Sequence, residues 1–504
     1  MLKKLTDRDV VNNKKICCVG NTDYITEFCK KYKVDNQIIQ ILDDNPSKQG
    51  FRVFGKNRVT VTASKNFSTE CEVVVITDDY YHECYEIICE YVDESTKGIY
   101  YFANKETEYE EYYRNLYKDS MLENKIIFRS GPHLSSYLPG MDFSDNAKAL
   151  FEYMLKNNYN EKYELIWFVK NPDEYQEYTA NKNVSFIALK WSVSDEKEKR
   201  DAYYRALCLA KYIFFTDAYG IARNCRADQI RVQLWHGCGF KTRLNFSPCS
   251  KRYEYMTVTS ELYADIHSKV FGLQRSQLLI TGCAKEDWLF QTEEMDYFKE
   301  LHIPNADKYI FWLPTYRKAD DVLAQRNGYE LNQETGLPIV DTQEKVKLLN
   351  TFLAEKGIVL VIKLHPYQNR EKIVLDSCSN IILLDNGQLN QLGIHINHLL
   401  GRADALISDY SSAAVDYLLL DRPIAFMLDD VEEYESSRGF VFDNIRDWLP
   451  GEEIFSFDDL LIYLEDIAEG KDSSRKKRHV LTKRMHANCD GNNCRRIVEA
   501  LGIA

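Results

Sequence analysis

Four polar clusters in this sequence have residue types and spacing suited to moving a proton or gripping a phosphate. The first, Gln233-Leu234-Trp235-His236-Gly237-Cys238-Gly239-Phe240-Lys241, sets an imidazole between apolar residues and glycines at the end of an apolar run. A neutral histidine there can take a proton from an incoming hydroxyl, because its ordinary pKa lies near working pH. A core histidine satisfied by backbone would look the same in isolation; the two glycines and Lys241 favour a site. The second cluster, Val361-Ile362-Lys363-Leu364-His365-Pro366, ends a buried run with a histidine and with a proline that stops a strand ladder. The third runs Ala403-Asp404-Ala405-Leu406-Ile407-Ser408-Asp409-Tyr410-Ser411-Ser412-Ala413-Ala414-Val415-Asp416-Tyr417. A strand passing through a Ser-rich turn into a helix lets Ser411 or Ser412 cap the helix while free N–H groups face an anion, and a plain cap without a ligand fits that spacing equally well. The fourth, Pro314-Thr315-Tyr316-Arg317, puts an arginine just after a strand, suited to a bidentate grip on phosphate. A lone arginine is commonly a solvated surface group, and only the other clusters raise Arg317 above that.

These clusters need elements to carry them. Short apolar runs at 15–19, 38–42, 59–61, 73–76 and 99–102 alternate with helical patterns, which predicts a small Rossmann-like domain over residues 1–125. Its first strand-to-helix turn, Val19-Gly20-Asn21-Thr22-Asp23, lacks the further glycines that let a backbone approach a pyrophosphate, which argues against a dinucleotide there. Asp43-Asp44-Asn45-Pro46 reads as a turn rather than a ribose clamp. The alternation restarts at 125–128 and continues to 278–281, then restarts again from 309–313 to 423–427, with a hinge expected near 300–306. Further units are therefore expected over 126–303 and 304–504. Two consecutive Rossmann-like halves describe the α/β architecture called GT-B, in which a ligand lies in the cleft between the carboxyl ends of both sheets. His236 and His365 would then face each other from opposite walls.

Composition narrows the classes. The chain has 504 residues, 64 Lys+Arg against 77 Asp+Glu, and a net charge of −13, so a surface built to grip nucleic acid is not expected. No apolar run approaches the roughly eighteen residues of a membrane span, and the N-terminus lacks the apolar core of a signal peptide, which predicts a cytoplasmic protein. The 14 cysteines form no paired C-x-x-C clusters and read as reduced, mostly buried thiols. The one Asp-x-Asp, Asp7-Arg8-Asp9, does not follow a strand, so no metal-bridged diphosphate site and no cofactor are expected.

Taken in order, the four clusters resemble the CDP-glycerol glycerophosphotransferase family, the teichoic-acid primases and polymerases. The resemblance also takes in Tyr137-Leu138-Pro139-Gly140-Met141-Asp142-Phe143-Ser144-Asp145-Asn146, then Asp421-Arg422-Pro423-Ile424, Tyr434 with Arg438-Gly439-Phe440, Pro450-Gly451 and Asp490-Gly491-Asn492. It covers about residue 126 to the C-terminus and leaves the first unit unexplained. W-H-G-x-x-x-K and S-D-Y-S-S are its specific motifs.

What the resemblance implies is transfer of a polyol phosphate from CDP-glycerol or CDP-ribitol to an acceptor hydroxyl, with release of CMP and without an obligatory divalent ion. His236 would be the base for the acceptor hydroxyl, and His365 would contact the donor pyrophosphate or protonate the leaving CMP. Ser411, Ser412, Arg317 and Lys363 would hold phosphate oxygens, Asp409 would orient one imidazole, and Lys241, Asp145 and Asn146 would lie on the acceptor side. The implied acceptors are a polyol phosphate, a saccharide or an undecaprenyl-diphosphate-linked precursor of a teichoic-acid-like or capsular polymer. The implied place is peripheral, at the inner face of the membrane, where the basic run Arg475-Lys476-Lys477-Arg478 offers a contact, although a solvated helix face explains that run as well. Two other functions fit the same fold: a glycosyltransferase using a UDP-sugar, and a non-catalytic assembly protein of the same pathway.

Overall fold

The computed structural model describes residues 2–503 except 21, 45–51, 54–58, 79–80, 132–140, 217–220, 222–224, 242–252, 292–295, 315–333, 365–372, 376–377 and 438. His365, Arg317, Arg438 and residues 137–140 therefore lie outside the described residues.

Three sheets follow one another along the chain, each built from short runs of β-branched and aromatic residues. In Ile16–Gly20 and Val73–Thr77 every residue is buried, and so is all but the first of Glu164–Val169. Burial on both faces is what a parallel sheet covered by helices demands. The first sheet runs Lys3–Lys4, Gly98–Tyr101, Val73–Thr77, Ile16–Gly20, Ile38–Leu42, Val59–Thr62 and the antiparallel edge Arg52–Val53. The second runs Val184–Ala188, Glu164–Val169, Glu123–Ser130, Ala210–Thr216, Ile230–Gln233, Tyr255–Val258 and Leu278–Ile280, all parallel. The third runs Ile381–Leu384, Ile358–Lys363, Lys308–Leu313, Ala405–Ser408, Ile424–Met427 and Glu452–Ile454, also all parallel.

In the second and third sheets the strand order reverses beside the first strand. The switch points lie between Glu123–Ser130 and Ala210–Thr216, and between Lys308–Leu313 and Ala405–Ser408. Ligands of open α/β sheets bind outside the carboxyl ends at such points. One apolar cluster runs unbroken from Phe215 and Tyr263 in the second unit to Phe311 and Tyr410 in the third, so these two halves share a core. The first unit keeps two small clusters of its own on either face of its sheet.

Two helices tie the units together. Lys105–Tyr117, capped by Asn104 accepting from the Thr107 N–H at 2.8 Å, joins the first unit to the second. Glu111 accepts from Lys4 Nζ at 2.8 Å on one side, while Tyr113 stacks on Tyr204 at 4.5 Å and donates to Asp201 on the other. At the far end, Asn493–Ala500 does not stay with the third unit, as the range 304–504 would have it. Its apolar face of Cys494, Ile497 and Val498 is buried in the core of the second sheet, beside Leu150 and Phe151 of the helix Asp145–Lys156. Asp44, read from sequence as part of a turn, accepts from the Ser64 N–H at 2.7 Å and hydroxyl at 2.5 Å. Among the described residues no helix is long and apolar enough to cross a membrane, and the described cysteines are free thiols.

Candidate active site

The strand Ile230–Gln233 ends in a loop whose backbone is bent by its own sequence. Trp235 adopts a left-handed φ of 53°, and Gly237 a φ of 119° that a side chain would strain. The loop is held by Asn146, whose Nδ2 donates to the Trp235 carbonyl at 2.7 Å. This turn presents His236 to the cleft with its side chain 44% exposed.

Opposite it stands Asp145, the first residue of the helix Asp145–Lys156, also left-handed with φ 59°. The turn before it is tied down: the Ser144 N–H donates to Ser130 Oγ at 3.0 Å, and Ser144 Oγ donates to the Met141 carbonyl at 2.7 Å. Asp145 Oδ2 lies 3.2 Å from His236 Nδ1. A carboxylate only accepts, so Nδ1 carries the proton and Nε2 the lone pair.

Behind this pair lies a buried cation. Lys285, in the 3-10 turn Ala284–Phe290 that follows the strand Leu278–Ile280, donates to the His236 carbonyl. Its ammonium sits 3.8 Å from Asp145 Oδ1 and 3.5 Å from Asp416 Oδ2. Burial alone would raise Asp145; Lys285 and the bond to His236 overcome it and hold the carboxyl well below its usual range. Burial would lower Lys285, but Asp145 and Asp416 reverse this and keep it charged. Burial pushes Asp416 up while Lys285 pulls it back.

The other wall comes from the third sheet. Tyr410 packs on Tyr434 at 4.3 Å and on Phe440 at 5.0 Å, and the backbone of Lys241 pairs antiparallel with Phe440 across the cleft. Lys363, at the end of Ile358–Lys363, is lowered to about 8 by burial. His395 caps the short helix Ile396–Leu400 by accepting from the Asn397 N–H at 3.1 Å. Burial, with Lys285 close by, holds this imidazole neutral, well below the usual histidine range.

Several expectations change at this point. The carboxylate at His236 is Asp145, which the resemblance placed on the acceptor side. Asp409 is buried and accepts from the Tyr410 N–H at 2.7 Å. Asn146 is fully buried and committed to the Trp235 carbonyl and the Lys285 N–H, so it positions loops rather than meeting an acceptor. The helix after Ser412 is only Ala413–Tyr417, and Ser412 forms no side-chain cap; Ser411 Oγ takes the Ala413 N–H at 3.3 Å instead. The dipole of so short a helix is small, and the Ser411 and Ser412 hydroxyls are left as the polar groups of that turn. Sequence reasoning missed Lys285, Asp416, Asn397 and His395. Asp416 sat within the third Ser-rich segment, but nothing marked its partner Lys285 in the first half.

A cavity of about 1160 Å³ opens between the halves beyond Lys148, lined by Glu152, Tyr178, Trp288, Asn390 and His398. Among the described residues no group of three or more His, Cys, Asp or Glu is arranged to hold a metal ion.

Two Rossmann-like halves with a polar, cation-centred cleft at their switch points have the GT-B architecture. The comparisons make the class specific: the CDP-glycerol:poly(glycerophosphate) glycerophosphotransferase family matches residues 99–502, and the chain belongs to it. It is 26% identical over 360 residues to the teichoic acid poly(glycerol phosphate) polymerase of Staphylococcus epidermidis, covering 66% of this chain and 44% of that one. It is 27% identical over 389 residues to the teichoic acid glycerol-phosphate primase of Bacillus subtilis, covering 71% of this chain and 89% of that one. A ribitol-phosphate polymerase of Staphylococcus aureus, TarK, is 25% identical over 334 residues, 62% of this chain and 60% of the relative. The chain thus spans about half the length of the two polymerases. The solved structure of the wall teichoic acid polymerase TagF superposes with a TM-score of 0.57 at 21% identity, over 78% of this chain and 93% of that one, which shows the shared fold.

Proposed function

We propose that this protein transfers a glycerol or ribitol phosphate from a CDP-polyol to a hydroxyl of a cell-surface polymer precursor and releases CMP. The observation that carries this reading is the His236–Asp145 pair at the cleft, with Nδ1 bound to the carboxylate, which makes Nε2 the nitrogen that can accept a proton. The acceptor oxygen attacks the β-phosphorus while its proton passes to His236 Nε2, and the bond from that phosphorus to the CMP oxygen breaks. His365 protonates the departing CMP or holds the donor pyrophosphate. The charge that spreads over the phosphoryl oxygens is met by Lys363, Arg317 and the hydroxyls of Ser411 and Ser412, so positioning and electrostatics do the work without a protein nucleophile. On this reading no divalent ion is required, and full loss of turnover on chelation with recovery on adding magnesium would refute that part. The acceptor is a polyol-phosphate, saccharide or undecaprenyl-diphosphate-linked chain, met at the inner face of the membrane.

The test is CMP release by the purified protein from CDP-glycerol and from CDP-ribitol, with UDP-sugars as controls and a short polyol-phosphate oligomer or a lipid-linked disaccharide as acceptor. Acceptor-dependent CMP from one donor supports the reading. Consumption of a UDP-sugar instead would replace it with glycosyl transfer.

A further inference from the structure

Lys285 is gripped from both halves at once. Its N–H donates to Asn146 Oδ1 at 3.0 Å in the second unit, and its carbonyl accepts from Asn397 Nδ2 at 3.1 Å in the third. Its side chain is 9% exposed and its ammonium lies between Asp145 of one half and Asp416 of the other. Asp416 is fully buried, and the same Asn397 amide reaches its Oδ2 at 3.4 Å. Gly237 packs against this arrangement: a Cβ there would lie in ordinary contact, 3.5 Å from Lys285 Nζ and 3.6 Å from Asp416 Oδ1. A buried ammonium facing two carboxylates divides its attraction, because neither oxygen pair has water to turn to.

We propose that Lys285 and Asp416 are positioning residues that divide one buried positive charge between the two halves and so govern how readily His236 takes a proton. This rests on the reading of His236 as the base. Asp145 favours the imidazolium, and Lys285 opposes it by spending part of its charge on Asp145. Asp416 draws part of that charge away. The half that carries the Ser411–Ser412 turn thereby acts on the base in the other half.

The remaining titratable groups around this centre do not mask the effect. His395 stays neutral, and Lys363 stands on the facing wall, lowered to about 8. Glu286, which accepts from the Cys283 N–H and from Asn493 Nδ2, is raised well above the usual carboxyl range by burial and by Asp416. Cys283 is likewise raised, by its contact with Cys238 and by burial; Cys238 is lowered, its burial outweighed by its contacts with Cys283 and Thr259.

Opposite signs make the test sharp. Removing the ammonium in Lys285→Met leaves Asp145 to act on His236 alone, and the imidazole titrates higher by about one unit. Removing the competing carboxylate in Asp416→Asn turns Lys285 fully onto Asp145, and the imidazole titrates lower by a similar amount. The measurement is an NMR pH titration of the imidazole resonances of the full chain, with His236 assigned by its loss in His236→Ala, alongside the pH profile of kcat/KM. Shifts of opposite sign in the two variants support the proposal. No shift, or shifts of the same sign, overturn it, since a general loosening of the site would not move the imidazole up in one variant and down in the other. Should Lys285→Met not fold, Asp416→Asn alone still decides by its sign. If His236 moves as stated while the acid limb of the rate profile stays put, the charge sharing holds and the assignment of His236 as base fails.

Discussion

Gly239 and Ser412 meet across the cleft: a Cβ placed on Gly239 would lie 3.0 Å from Ser412 Cβ and 3.4 Å from its Cα. The loop that carries His236 and the turn that carries the two serines are therefore in van der Waals register. A methyl group at Gly239 would press on Ser412, so the spacing of the two loops depends on this glycine. Gly239→Ala should displace Ser412 by a few tenths of an ångström. Such overpacking costs about 1 kcal/mol or more of stability, so we expect a lowered melting temperature together with a raised KM for donor. Steady-state kinetics beside a thermal melt checks this; an unchanged donor KM would mean that Ser412 does not touch the donor.

Much of this arrangement was legible in the sequence. The apolar runs 231–235, 359–364 and 405–408 fall on the strands Ile230–Gln233, Ile358–Lys363 and Ala405–Ser408, the first two one or two residues off at their ends, because runs buried on both faces have few alternatives. The two-residue edges Lys3–Lys4 and Arg52–Val53 carry no such signal and were missed. The partners of His236 were less legible for a different reason. Asp145 and Lys285 stand 91 and 49 residues from it in sequence, and no local pattern encodes a contact between such distant loops. Periodicity likewise gave no sign that the helix Asn493–Ala500 returns to the second unit, since an amphipathic stripe states that a face is buried but not against what.

Asp145→Asn keeps the shape of the pair but removes its charge and offers the imidazole an amide that can favour the wrong tautomer. Turnover should fall about 10²-fold with the fold intact, in line with the loss of an orienting partner on a general base. Circular dichroism and kcat measured together would show this. A variant with near-normal kcat would mean that Nδ1 is held by something other than Asp145.

Lys363 ties donor binding to pH. Its folded pKa is lowered to about 8, so the ammonium is present below that pH and is lost as pH rises through it. In the unliganded enzyme the affinity for the CDP donor should therefore weaken between about pH 7.5 and 9. Lys363→Arg, which stays charged throughout, should remove that dependence. Donor binding by calorimetry across this range is the check, and a flat profile in the parent protein would take Lys363 out of the phosphate site.

His267 and His486 bear on stability rather than chemistry. Both are buried, burial lowers each to about 4, and His486 Nε2 donates to the Val415 carbonyl at 2.8 Å. Their folded pKa values lie below the unfolded value of about 6.5, so the unfolded chain binds more protons in this window. Stability should then be full above about pH 6.5 and fall as pH drops toward 4, by up to about 3 kcal/mol for each imidazole. Urea melts at pH 7 and pH 5 test the slope. Equal midpoints would show that neither histidine is held neutral.

The central claim is that phosphorus, and not a sugar carbon, is transferred from the donor. Mass spectrometry of a defined acceptor after incubation with a CDP-polyol tests it most directly. The account predicts acceptor lengthened by whole polyol-phosphate units, an equal amount of CMP, and loss of both products in His236→Ala. An acceptor that gains a hexose from a UDP-sugar, or that stays unmodified while the donor binds, would contradict it.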